Sequence, residues 1–379
     1  MKKFAQFAAL AAATALTLAA CGAAPDASPS KTPEPSGTET SASETPTAAP
    51  VDFLGCMVSD FGGFDDNSFN ETSFNGLKRA VAELGIKEAS AQSTDAGQYT
   101  TNVDSMIQEG CDLIFNVGFN LADTTLNAAK ANPDQNFGLI DSALSDPTTF
   151  APIVLDNVKP ILFNTQEAAY LAGYVAAGMT KTGTVATFGG QPYPSVVIFM
   201  DGFVDGVAAY NEAKGKDIKV LGWDKAAQKG SMTETFDEIG AGKTMAEDLI
   251  NQGADIIMPV AGPVGEGAMA AAQEKGDVLI IGVDTDAFLK YEKYQDILLT
   301  SVVKAMDTAV FDTIKTAVDG KFDATAYVGT LENAGVGIAD FHNLASEVPA
   351  DLKAEVDALR AKIVSGELVV DSVNATPVK

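Results

Sequence analysis

A series of short, nearly uninterrupted apolar runs separated by stretches of helical period constrains this chain more than any other feature. The runs cover residues 53–59, 112–117, 136–140, 152–155, 184–188, 218–222, 255–259, 278–283 and 297–303. A strand exposed on one face alternates apolar and polar residues. A strand in a parallel sheet is covered by helices on both faces, so it reads as a continuous run. Between the runs, Phe74, Leu77, Val81 and Leu84 share one helical face, as do Ala168, Leu171, Ala172, Val175 and Met179. The pattern is βαβαβ repeated and predicts an α/β chain with two doubly wound sheets. No short-period repeat points to a solenoid.

The ends do not belong to this pattern. Met1-Lys2-Lys3 and the apolar stretch 4–20 have the charge and length of a signal peptide, too short for a spanning helix. The stretch closes on Leu18-Ala19-Ala20-Cys21-Gly22, which resembles the bacterial lipobox and predicts cleavage before Cys21 with diacylation of its thiol. A doubly acylated cysteine anchors stably where one chain does not. Residues 23–50 are rich in Pro, Ser, Thr, Ala and Glu with almost no aliphatic side chain. Such a segment cannot bury enough apolar area to order itself and reads as a tether spanning on the order of 30 Å.

The remainder is too long for one small core and predicts two lobes: residues 51–158 with about 288–325, and 159–287 with about 326–379. A net charge of −26 opposes binding to nucleic acid or anionic lipid, which need clustered Lys and Arg. Beyond Cys21 only Cys56 and Cys111 remain, both on or beside predicted strands. They read equally as a pair or as two buried thiols.

Catalytic constellations lack parts. The single histidine, His342, lies in a polar stretch with no nucleophile signature and reads as solvated, so neither a triad nor a histidine metal cluster can be built. Gly242-Lys243-Thr244 resembles the end of a phosphate loop, but Asp237 stands where the opening glycine belongs, so it reads as a helix start. The loop 60–71 has calcium-loop length but carries Gly62 and Phe64 at ligand positions. The adjacent acids Asp65 and Asp66 would seldom point to one substrate atom. No catalytic residue, metal or cofactor is expected.

In open parallel sheets ligands sit beyond the carboxyl ends of the strands. Three predicted strands run into a carboxylate there: Asp60, Asp141 and Asp284. At such places Asp also serves simply as a helix cap or turn former. Gly262, after the strand 255–259, would let backbone approach a ligand closely.

Val58-Ser59-Asp60, Gly62-Gly63, Asp65-Asp66, Ser68-Phe69-Asn70 and Gly76 together resemble the opening signature of the basic membrane protein family, the purine nucleoside receptors of ABC importers. The resemblance continues through the block from Phe163-Asn164 to Gly173, Pro259-Val260-Ala261-Gly262, Gly282-Val283-Asp284-Thr285-Asp286 and Thr300-Ser301-Val302-Val303-Lys304. It implies a type I periplasmic-binding-protein fold, with two Rossmann-like lobes joined by three crossovers and a nucleoside between them. By analogy, Phe69 and Phe236 sandwich the base, with Phe236 chosen over Phe199 and Phe203. Asn70 and Asp141 bond around the base, Ser68 lies beside them, and Asp60, Gly262, Asp284 and Lys304 hold the ribose. Asn164 departs from the pattern where a basic residue is common, and Pro263 where a second glycine is expected; both are placed in the cleft wall.

The resemblance also implies an ABC permease and its ATPase as partners, and a lipid-anchored position on the outer face of a bacterial membrane. A sugar receptor of the same fold would use nearly the same residues. A nucleoside hydrolase with calcium-binding aspartates, or an adhesin with a vestigial cleft, are the readings from other classes.

Overall fold

The computed structural model describes residues 50–377. The signal peptide, Cys21 and nearly all of the tether lie outside them. The chain opens with β1 (Leu54–Val58), α1 (Phe69–Leu84), β2 (Lys87–Ala91), α2 (Tyr99–Glu109), β3 (Leu113–Val117), α3 (Ala122–Ala131), β4 (Asn136–Ile140) and β5 (Val158–Phe163). These strands pair in parallel, and β1, β3 and β4 are buried along all or nearly all of their length, which is why they read as apolar runs. The chain then continues through α4 (Thr165–Met179), β6 (Thr184–Gly189), α5 (Pro194–Lys214), β7 (Lys219–Leu221) and a two-stranded ribbon of β8 (Trp223–Asp224) and β9 (Lys229–Gly230). Next come α6 (Ile239–Asn251), β10 (Ile256–Val260), α7 (Gly265–Lys275), β11 (Leu279–Asp284), α8 (Ala287–Lys290), β12 (Leu298–Lys304) and α9 (Met306–Val318). The last elements are β13 (Tyr327–Gly329), β14 (Val336–Ile338) and α10 (Ala350–Val364).

Two six-stranded sheets result, in the orders β13-β5-β4-β3-β1-β2 and β14-β12-β11-β10-β6-β7. The chain passes between them after β5, after β12 and between β13 and β14, which makes three crossovers and gives the type I periplasmic-binding-protein fold.

Several expectations need correction. The strand read at 152–155 makes only an isolated bridge between Ser145 and Pro152, because it lies in the long connection from β4 to β5 rather than in the sheet. The lobe boundary near residue 288 is misplaced: β12 pairs in parallel with β11 and so belongs to the second sheet, and the chain returns to the first lobe only with α9, which packs on α1. Of the two readings left open for Cys56 and Cys111 the structure has the pair: they form a disulfide with their Cα atoms 6.0 Å apart, joining β1 to the residue that leads into β3. His342 is half-buried, with its ring stacked on Phe288 at 4.0 Å and Nε2 2.7 Å from the Asp286 carboxylate. Asn164 lies at the first crossover, where its side-chain amide exchanges two 2.9 Å hydrogen bonds with the backbone of Thr376.

Candidate ligand-binding site

The carboxyl ends of the two sheets face each other and enclose a cavity of about 620 Å³, its mouth included. Of the residues singled out from the sequence, Asp60, Phe69, Asn70, Asp141, Phe236, Gly262, Asp284 and Lys304 line it. Ser68 lies just behind, its Oγ 3.4 Å from Asp284 Oδ2.

At one end Lys304, the last residue of β12, reaches out of the second sheet. Its Nζ lies 2.6 Å from Asp141 at the end of β4 and 3.2 Å from Asp284 at the end of β11. The same ammonium sits 4.9 Å from the ring centre of Phe199 and 5.3 Å from that of Phe69. Burial alone would push the Lys304 amine down, but the two carboxylates outweigh it and hold the amine above its ordinary value. Asp141 and Asp284 have φ of 61° and 67°, a left-handed backbone uncommon outside glycine. Such conformations collect at ligand sites, and here each occurs where a strand ends in an acid.

At the other end stands Asp60. Asn70 Nδ2 donates to its Oδ1 at 3.1 Å, and Asn120 Nδ2 to its Oδ2 at 3.4 Å. Burial pushes this carboxyl up to about 7, against the pull of those two amides and with a small push from Asp66 and Asp141. The carboxylate fits because Gly118 at the end of β3 has no side chain: a Cβ there would lie 2.2 Å from Asp60 Oδ2. Asn70 is only 2% exposed, and its Oδ1 has no hydrogen-bond partner. Asp60 therefore groups with Asn70, and Asp141 groups with Lys304 and Asp284, a different partition from the one the resemblance implied.

The remaining acids of the first loop divide. Asp65 is exposed, while buried Asp66 accepts from the backbone N–H groups of Ser68, Asn70 and Glu71 and so satisfies the open first turn of α1. Its role is the capping one.

Of the three aromatics weighed as partners of Phe69, Phe236 and Phe199 line the cavity and Phe203 is wholly buried in the core. Phe236 packs over Gly190, where an added Cβ would lie 2.3 Å from its ring. Phe119, Asn120 and Tyr193 also line the cavity, and sequence reasoning missed them. The signal was present, because Phe119 and Asn120 follow β3 and Tyr193 follows β6 at the same carboxyl edge, but only strand-ending acids were singled out there. Tyr193 stacks on Phe119 with ring centres 4.6 Å apart and donates from its hydroxyl to Asn120 Oδ1 at 2.8 Å, bridging the lobes. Lys290 on α8 makes a further bridge to Glu71 on α1 at 3.0 Å.

Residues 53–373 match the family described as ABC transporter substrate-binding protein, PnrA-like. The chain belongs to this family. Among PnrA-like relatives it is 33% identical over 85% of its length to the "ABC transporter nucleoside-binding protein BmpA" of Lactococcus lactis, covering 91% of that protein. It is 31% identical over 82% of its length to "Basic membrane protein A" of Borreliella burgdorferi, covering 86% of that protein. A solute-binding protein of an ABC transporter system from Aeropyrum pernix K1 superposes with a TM-score of 0.73 at 28% identity, over 84% of this chain and 94% of that one. As a PnrA-like protein the chain is a substrate-binding component of an ABC transporter and works outside the cytoplasm with a permease and its ATPase. Its relatives are binding proteins rather than enzymes.

Proposed function

We propose that this PnrA-like protein captures purine nucleosides, stacking the base on Phe69 and Phe236 and bonding the ribose hydroxyls with Asp284 and Lys304. The observation that carries the reading is the charge of the cavity wall. Its ionisable lining is four acids, Asp60, Asp66, Asp141 and Asp284, against one cation, Lys304, already shared between two of them. A phosphate would meet acids with no Arg cluster to offset them, so a neutral ligand suits the wall better than a nucleotide. Aromatic faces beside hydroxyl-bonding acids match a base joined to a sugar, and stacking contributes roughly 1–3 kcal/mol per aromatic face. A relative named for nucleoside binding at 33% identity supports the same class.

The protein acts as a hinge: the cleft is open when empty and closed when a ligand bridges the lobes, and the closed form is presented to the permease. Cys21, acylated, holds it at the membrane, and the segment 23–50 gives it reach.

Isothermal titration tests this on purified protein unfolded and refolded to strip carried ligand. The titrants are guanosine, inosine, adenosine, uridine, ribose and galactose. Heat with purine nucleosides that is lost in Phe69→Ala and Asp284→Ala is expected. Heat with a free sugar and none with any nucleoside would overturn the ligand assignment.

A further inference from the structure

Asn120 and Tyr193 stand in the cavity wall with no role in the reading above, yet they are tied to Asp60 in one chain of bonds. Tyr193 comes from the second lobe, Asn120 and Asp60 from the first. A tyrosine hydroxyl that donates to an amide must face its oxygen, so the bond from Tyr193 fixes which way the Asn120 amide points. With its oxygen held by Tyr193, the Asn120 nitrogen is directed at Asp60.

The consequence lies in what the end of the cavity offers. Asp60 receives one amide N–H on each oxygen, and a carboxylate has about four acceptor positions, so both oxygens keep capacity. Beside them Asn70 spends its nitrogen on Asp60, Asp66 and the Phe61 carbonyl and leaves its oxygen buried and unpartnered. With Asp60 ionised, every free polar site on these two side chains is thus an acceptor. A buried acceptor left without a donor costs free energy, so a ligand supplying N–H groups gains what one presenting an acceptor loses.

We propose that Tyr193, acting through Asn120, is a specificity-determining positioning residue that keeps the Asp60 end of the cavity an acceptor wall. The wall selects a ring edge carrying adjacent N–H donors, as guanine does with its N1–H and N2–H₂, over an edge that presents a ring-nitrogen acceptor, as adenine does. The inference rests on the nucleoside reading. If Tyr193 lets go, the amide is free to turn its nitrogen away from Asp60, and a carboxyl that loses this donor takes up a proton more readily and becomes a donor itself, so the wall loses its single polarity. Phe119 and Phe236 flank the Tyr193 ring at 4.6 and 5.9 Å, so removing the hydroxyl alone leaves the packing in place.

The test is titration of wild type, Tyr193→Phe and Asn120→Leu with guanosine, inosine and adenosine, together with thermal unfolding of each. Wild type should favour guanosine over adenosine by about tenfold or more, as expected of a bidentate donor–acceptor match. Tyr193→Phe should shrink that ratio at least about fivefold while its unfolding temperature stays near wild type, and Asn120→Leu should shrink it too. A purely structural role would weaken all three nucleosides alike. Equal binding of guanosine and adenosine by wild type, or an unchanged ratio in Tyr193→Phe, overturns this inference and leaves the nucleoside reading standing. No heat with any of the three overturns both.

Discussion

The Lys304 ammonium lies 2.6 Å from the Asp141 carboxylate, so a residue ending a strand of the second sheet is ion-paired to one ending a strand of the first. Both side chains are almost wholly buried, and Asp284 completes the group at 3.2 Å. Removing one member of a buried ionic group leaves the others uncompensated, which typically costs about 3–5 kcal/mol. Lys304→Met is therefore expected to lower stability by that order and abolish ligand binding. Adding Asp141→Asn should recover part of the stability and none of the binding. Denaturant unfolding and titration of the single and double variants check this.

Asp60 makes binding sensitive to pH. Its carboxyl sits near 7 because of burial, and it faces Asp66, Asp141, Tyr99 and Tyr193 from the surrounding elements. A ligand that donates to it favours the ionised form, so below about pH 7 a proton must be displaced and affinity should fall by up to about tenfold per pH unit. Above pH 7 the profile should flatten. The empty protein shows the opposite sign: a carboxyl whose folded value is raised binds its proton more tightly folded than unfolded. Stability should therefore decline as pH rises from about 4 to about 7. Titrations between pH 5.5 and 8.5 read the first effect and denaturant unfolding between pH 4 and 8 the second; Asp60→Asn should lose the first and weaken the second, because Asp66 and Asp141 are also raised by burial.

Trp223 reports on a buried polar group elsewhere in the second lobe. Its indole Nε1 donates to Asp201 at 2.8 Å, and the same carboxylate accepts from Gln228 at 2.9 Å and from Ser372 at 2.7 Å. Asp201 is wholly buried, and Asp201→Ala would strand these donors at about 1–3 kcal/mol. The chain around Ser372 should loosen, and because Trp223 is the only tryptophan, the change should appear as a shift in its emission.

The Cys56–Cys111 disulfide closes a loop with a sequence separation of 55. By the chain-entropy relation it stabilises by about 4 kcal/mol. It lies in the core of the first lobe away from the cavity lining. Reduction, or Cys56→Ala with Cys111→Ala, should lower the unfolding temperature and leave ligand affinity near wild type.

The parts of the fold legible from sequence were those whose physics is written in side chains. β4 is bounded as read because five consecutive residues are covered on both faces or nearly so. β2, Lys87-Glu88-Ala89-Ser90-Ala91, is an edge strand with exposed charges and carries no apolar run to detect. β5 holds Pro160 between two neighbouring strands, a residue that argues against a central strand. In the site, the strand-ending acids were visible because one rule points at them. Asn120 and Tyr193 matter through each other, and a pairing between residues 73 positions apart leaves no trace in either neighbourhood.

The late return of the chain to the first sheet also sets an order of assembly. β5 has β4 on one side, and its other edge stays open until β13 arrives from beyond α9, after the second sheet has received all but its own last strand. A protein emerging amino terminus first thus shows a bare, pairing-competent edge from the completion of β5 at Phe163 until Tyr327 arrives, and completes both halves only together, near the end.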